Sequence, residues 1–229
     1  GKSYLGTHHY AGKQLQKMFP EIESVCGVSE LELTLNKGDE RFRTQVLSAD
    51  STFFSLFGYP LREGDAVRCL ETKDAAVVSE SFAMKYFGET DVVGRTITFR
   101  DSLKLHVTAV MKDLDGRIFR NADMVVNYYN QRYGNFCDTD EGFLKRYVNL
   151  SGCSLFLRLR EGRTFIGREK DLLKCYASFW SDFAEQKPGD DMYIQPYAMK
   201  YKDVYFSKTT NNGVMRYGDI MLVRILAAV

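Results

Sequence analysis

The side chains able to do chemistry in this 229-residue chain are scattered, and their spacing assembles no catalytic constellation. His8 and His9 are adjacent, and neighbours on a helix do not face the same metal ion. His106 lies far away in an alternating segment, and there is neither an H-E-x-x-H motif nor a Cys/His cluster. The five cysteines, Cys26, Cys69, Cys137, Cys153 and Cys175, are widely spaced and contain no C-x-x-C pair. Cys153 and Cys175 sit on apolar faces, where a free thiol acts as a small core hydrophobe. The odd count leaves one thiol unpaired in a monomer and fixes neither a pairing nor a redox compartment. Gly1-Lys2-Ser3 matches only the tail of a phosphate-binding loop, without the glycines and strand that the mechanism requires. No G-x-S-x-G nucleophile elbow occurs. Asp138, Asp140 and Glu141 lack the calcium-loop spacing and read as a solvated acidic loop. Asn149-Leu150-Ser151 fits a glycosylation sequon, which matters only in a eukaryotic secretory setting. Phe53, Phe54, Phe57 and Tyr59 form an aromatic cluster of the kind that fills the core of a small domain. The expectation is therefore a protein that is not an enzyme, with no catalytic residues, no cofactor-binding residues and no metal ligands.

Composition narrows the class. The chain is 45% hydrophobic and 14% aromatic, with 31 basic against 30 acidic side chains, so it is neither disordered nor equipped with a nucleic-acid footprint. Its length allows one large domain or two small ones. No apolar run is long enough to span a membrane. From Ile220 to Val229, however, the chain reads IMLVRILAAV with Arg224 as its one charge, and this stretch is expected to begin a transmembrane helix, the alternative being a terminal amphipathic helix docked on the core.

Periodicity supplies the elements that would have to position any site. Residues 11–19 have helical spacing and stop at Pro20. IESVCGV and LELTL alternate as a strand, Asn36 to Asp39 turn the chain, and RFRTQVLSA pairs back. Ala75 to Val78 form a short buried strand, followed by a compact helix that Ser79 caps and Gly88 closes. RTITFR and LHVTAVM form a hairpin-like pair, and the segment from Asp50 to Asp113 reads as a partly barrel-like module with one helix. Residues 113–152 read as irregular connections with short elements, and CSLFLRLR as a strand. Thr164 to Lys187 read as the longest helix, with Leu172, Tyr176, Phe179, Trp180 and Phe183 as its buried stripe. DMYIQPYAM reads as a short strand, and Thr209 to Gly213 as a hairpin-like segment. The helix and strands of the tail match the opening more than the middle, which predicts an α+β fold in which the middle interrupts a discontinuous domain.

The run from Asp50 to Asp113 carries the most specific pattern. STFFSLFGYPLREGD, AAVVSESFAMKYFG, VVGRTITF and LHVTAVMKD occur in this order, and the order resembles the extracytoplasmic core domain of MacB/FtsX-type ABC transporter permeases. FPEIESVCGVS resembles the start of the family's domain, and QPYAMKYKDVYFSK resembles the segment just ahead of its second membrane helix. Arg95 and Ala109 stand where the family often has lysine and glycine. The resemblance implies a porter-like α/β domain over 1–49 and 114–219, with a small β-rich, Sabre-like module inserted at 50–113. Residues 220–229 would be the truncated start of a transmembrane helix.

The same resemblance implies a non-catalytic module on the periplasmic face of the bacterial inner membrane, coupling cytoplasmic ATP hydrolysis to motion outside it for export or extraction of a substrate. The implied partners are a second permease copy as a homodimer, a cytoplasmic ATP-binding subunit reached through the membrane parts, and a periplasmic adaptor or a lipoprotein or peptide substrate. No nucleic acid is expected, and the isolated fragment is expected to be mostly monomeric. The alternative expectation is an extracytoplasmic ligand-binding sensor domain of a membrane signalling protein.

Overall fold

The longest element is a strand of sixteen residues, Ile22–Lys37 (β2), where apolar and polar side chains alternate. Gly38, at φ 59°, turns the chain into Glu40–Ala49 (β3), which pairs antiparallel with β2 from Lys37↔Glu40 to Val28↔Ala49. The computed structural model describes residues 4–5, 7, 10–99, 103–113, 119, 122–127, 153–180, 184–190, 195–205, 207 and 210–211. Among them the remaining strands are Tyr4–Leu5 (β1), Leu61–Glu63 (β4), Ala75–Ser79 (β5), Thr96–Phe99 (β6), Leu103–Met111 (β7), Met124–Asn127 (β8), Ser154–Leu159 (β9) and Thr210–Asn211 (β10). The helices are Tyr10–Met18 (α1), Phe53–Phe57 (α2), Glu80–Phe87 (α3), Glu169–Ala177 (α4) and Tyr201–Val204 (α5).

Eight strands form one mixed sheet in the order β4-β7-β5-β8-β3-β2-β9, with β6 also on β7; β1 and β10 pair separately, in parallel. The ladders β3–β8 and β5–β7 are parallel and the others antiparallel. The sheet is thus continuous across positions 50 and 113. β4 to β7 occupy one half and β2, β3 and β9 the other, joined through β8. The barrel-like closure expected for residues 50–113 does not occur, because β8 takes the edge of β5 that closure would need.

Both faces of the sheet are covered. On one face Cys26, Val28, Leu47, Ala49, Val77, Met111 and Val125 pack under α2 and its aromatic neighbours. On the other, Val46, Ala76, Val78, Val110 and Met124 meet Phe82, Ala83 and Tyr86 of α3. α1 and α4 cover the β2/β9 end of that second face with Leu15, Phe19, Phe165, Leu172 and Cys175. Phe53, Phe54 and Tyr59 are buried, in line with the core role expected of the aromatic cluster.

Local chemistry matches the expected helix ends at α3. The Ser79 hydroxyl accepts from the Phe82 N–H at 3.0 Å, and Gly88, at φ 84°, donates its N–H to the Met84 carbonyl. Gly64, at φ 107°, allows a tighter approach: a Cβ there would lie 2.4 Å from the Ala109 Cβ. The close contact at Ala109 is therefore made possible by the glycine on the facing β4 segment.

Two expectations change, and the short elements expected within 113–152 include β8, a fully buried strand in the middle of the sheet. Of the helix expected over 164–187, the described residues 164–180 are helical at Glu169–Ala177, and Ala184 and Glu185 are helical again. At its start the Thr164 hydroxyl accepts from the Ile166 N–H, a local bond that competes with helix, and Gly167 is left-handed at φ 80°. At its end the Ser178 hydroxyl donates to the Cys175 carbonyl at 2.6 Å, and the chain tightens into turns. The strand expected over DMYIQPYAM is absent from its described part, 195–199, which has no regular structure and leads into α5. Phe183, the hairpin-like segment apart from β10, and the apolar residues 220–229 lie outside the described residues.

These contacts set two stabilities. Ser79→Ala should lower unfolding free energy by about 1 kcal/mol, and Gly64→Ala by about 2–4 kcal/mol through strain and overlap. Urea denaturation followed by circular dichroism measures both. A Gly64→Ala loss no larger than that of Ser79→Ala would contradict the close approach.

Candidate functional site

An extended groove of about 910 Å³ follows β9. Its position follows from the ladder, since among the described residues β9 is the last strand of the sheet and carries β2 on one side only. Leu155, Leu157 and Leu159 point towards α1 and α4, and Phe156 points the opposite way. Phe156 meets the Phe57 ring at 5.0 Å and the Tyr201 ring at 6.0 Å. One wall is therefore Phe165 and Leu172, and the other Phe57, Met199 and Val204. Tyr197, Tyr201 and Ile166 are exposed on the rim.

The register shows which backbone groups face the groove. Gly27 turns both its N–H and its carbonyl to Asp50, donating to Oδ2 at 2.7 Å and accepting from the Asp50 N–H at 3.2 Å. Gly27 stands opposite Leu155, so this is a non-hydrogen-bonded pair, and Leu155 directs its own N–H and carbonyl outward. Cys153 and Leu157 share that parity. Cys153 exchanges two backbone bonds with Thr7 across the outer edge, at 2.8 and 3.2 Å. Beyond it, among the described residues, the outward groups of Leu155 and Leu157 have no hydrogen-bond partner.

Charge in the groove has one sign. Among the described residues its lining includes Arg158, Arg163 and Lys200 and no carboxylate. The Arg158 Nη2 donates to the Ser55 and Leu56 carbonyls at 2.7 and 2.8 Å, which fixes it against α2. Arg163 and Lys200 are exposed at the two rims. Outside the groove, Arg168 lies 4.6 Å from the Phe165 ring and pairs with Glu21 and with Asp171. Hydrogen bonding to Arg168 holds the Glu21 carboxyl below its ordinary range.

The chemistry-bearing side chains of the sequence do not converge here. His106 lies on β7, 3.5 Å from Asp74 and half exposed. Among the described residues no group of three or more His, Cys, Asp or Glu is placed to hold a metal. Burial pushes the thiol of Cys69 up to about 12 and that of Cys175 to about 11, and raises Cys26 and Cys153 as well. A nucleophilic cysteine needs the opposite shift. Gly1 to Ser3, His8, His9, Cys137, Asp138, Asp140, Glu141 and the sequon at Asn149 lie outside the described residues. Sequence reading missed the groove because Arg158, Arg163 and Lys200 come from a strand, a turn and the start of α5; only the outer position of β9 brings them together.

A family description of the MacB-like periplasmic core domain matches residues 4–165. The chain belongs to this family, and is a periplasmic domain of the MacB-like ABC transporter permease class. Three solved structures share its mixed α/β fold. A domain assigned to a permease protein from Porphyromonas gingivalis is 18% identical, with TM-score 0.65 over 100% of this chain and 88% of that one. The periplasmic region of MacB from Actinobacillus actinomycetemcomitans is 15% identical, with TM-score 0.51 over 75% and 73%. The extracellular domain of the noncanonic ABC-type transporter YknZ from Gram-positive bacteria is 16% identical, with TM-score 0.50 over 80% and 87%. No curated protein matches the sequence. Among the described residues no helix is long and apolar enough to cross a membrane.

The Glu21–Arg168 pair predicts a pH dependence. A carboxyl held below its ordinary value of 4.5 stabilises the fold above that value, and the contribution is lost as pH falls through the lowered folded value. Urea midpoints measured from pH 7 down to pH 3 should fall more steeply for the parent chain than for Glu21→Gln. Equal slopes would remove this pair from the acid response.

Proposed function

We propose that this domain is a non-catalytic coupling element that stands outside the membrane and transmits the effect of cytoplasmic ATP hydrolysis to a substrate being exported or extracted. In this reading it works beside a second permease copy, with a separate ATP-binding subunit below the membrane and a periplasmic adaptor, lipoprotein or peptide on the outer side. The division into a porter-like body, 1–49 with 114–219, and an inserted module at 50–113 belongs to the same proposal, as does a membrane helix beginning near Ile220.

The observation that carries the reading is the parallel pairing of β1 with β10, Tyr4↔Thr210 and Leu5↔Asn211. Paired strands lie about 5 Å apart, so chain segments more than 200 residues apart in sequence meet at one place. That arrangement suits a domain carried between two membrane helices, where relative movement of the helices reaches the β1/β10 pair and, through the bridge from Thr7 to Cys153, the end of β9. The groove along β9 supports a second reading, a ligand-binding sensor. Hydropathy of the full-length protein separates the two: four membrane helices fit the permease, and two with a kinase-like region fit the sensor.

The test is the full-length permease reconstituted with its ATPase in liposomes, with and without this domain. Removal should lower export by about fivefold or more, the lower end of couplings between distant sites, and should change the ATPase rate. Unchanged ATPase and unchanged export would overturn the proposal.

A further inference from the structure

The open edge of β9 limits what the groove can hold. An occupant that displaces water from the outward N–H and carbonyl groups of Leu155 and Leu157 must replace the lost hydrogen bonds, because burying them unpaired is costly. An acyl chain fills apolar space but offers those groups nothing. An extended peptide supplies matching donors and acceptors along its length and places alternate side chains on opposite sides, as strand addition at an exposed sheet edge does elsewhere. The part of β9 from Leu155 to its end at Leu159 gives an edge of about 16 Å at ~3.3 Å per residue. Apolar walls flank it on both sides: Phe165 and Leu172 on one, Phe57 and Met199 on the other.

Charge decides the type of peptide and argues against self-pairing. Two copies joined edge to edge through β9 would bring two sets of Arg158, Arg163 and Lys200 to one interface, which like-charge repulsion opposes. The same three cations attract carboxylates. Thr7 already occupies the outer edge at Cys153, so the open length starts at the next outward position, Leu155.

We propose that the β9 groove binds an extended, carboxylate-bearing peptide segment of a partner or substrate, which joins the sheet as an added strand. This goes beyond the transporter reading and is independent of it, since it is measured as binding to this chain alone.

The test is fluorescence anisotropy of the 229-residue chain with three labelled peptides. One alternates valine with glutamate, one valine with lysine, and one is the glutamate peptide with alternate backbone nitrogens methylated. The glutamate peptide should bind about tenfold or more tightly than the lysine peptide, and methylation should abolish binding. The double variant Arg163→Glu/Lys200→Glu should reverse the charge preference. Both side chains are exposed, so the fold should survive, as circular dichroism would verify. Dodecanoate should not displace the bound peptide. Absence of glutamate-peptide binding, equal binding of the two charge types, undiminished binding after methylation, or displacement by dodecanoate would each overturn the proposal. Failure here leaves the reconstituted ATPase and export assay unaffected, so the two readings fall separately.

Discussion

The architecture of the groove depends on the bond pattern at Gly27. By turning its N–H and carbonyl to Asp50, Gly27 locks the corner after β3 onto β2. This sets which backbone groups of β2 remain for β9, and so which groups of β9 face outward. The Thr52 hydroxyl adds a bond to the Val25 carbonyl on the same stretch. A shift of one residue would send Phe156 to the α1/α4 side and the leucines of β9 to the aromatic side, exchanging both walls. The aromatic cluster and the two helices hold the same register from opposite faces: Phe156 needs Phe57 and Phe119, while Leu155, Leu157 and Leu159 need Leu15, Phe165 and Leu172.

The sheet also joins parts of the chain that differ in texture. β4 to β7 come from the segment with the dense motif pattern, and they reach the β2/β3/β9 half through the four residues of β8. β8 is antiparallel to β5 and parallel to β3, and Asn127 at its end donates to the Leu70 carbonyl at 2.6 Å. β1 and β10 are a separate two-stranded pair, and their neighbour Thr7 reaches the end of the eight-stranded sheet through its bridge to Cys153.

Much of this organisation was legible in the sequence, for physical reasons that can be named. Local rules worked where chemistry is local: Ser79 and Gly88 bracket α3, and the alternation of Leu155, Leu157 and Leu159 marks a strand. They failed where tertiary context decides. β8 is a short apolar run, and periodicity alone cannot tell such a run from a buried loop or a piece of helix. The long helix was overextended because Thr164 and Gly167 divert the backbone before Glu169, and the aromatic stripe continues past its end at Ala177. The family pattern was visible because it rests on ordered motifs. The groove was not, because its cations are contributed by three separate segments and its defining property is a row of outward backbone groups, which no side-chain pattern encodes.

The most direct measurement is residue-resolved amide hydrogen exchange along β9. Phe156 stands opposite Cys26 in the hydrogen-bonded position, next to the open pair Gly27↔Leu155. The account predicts slow exchange at Phe156 and fast exchange at Leu155 and Leu157, an alternation that follows the edge residue by residue. Equal protection at all three amides would show that the outer edge of β9 is already paired, and would contradict the account.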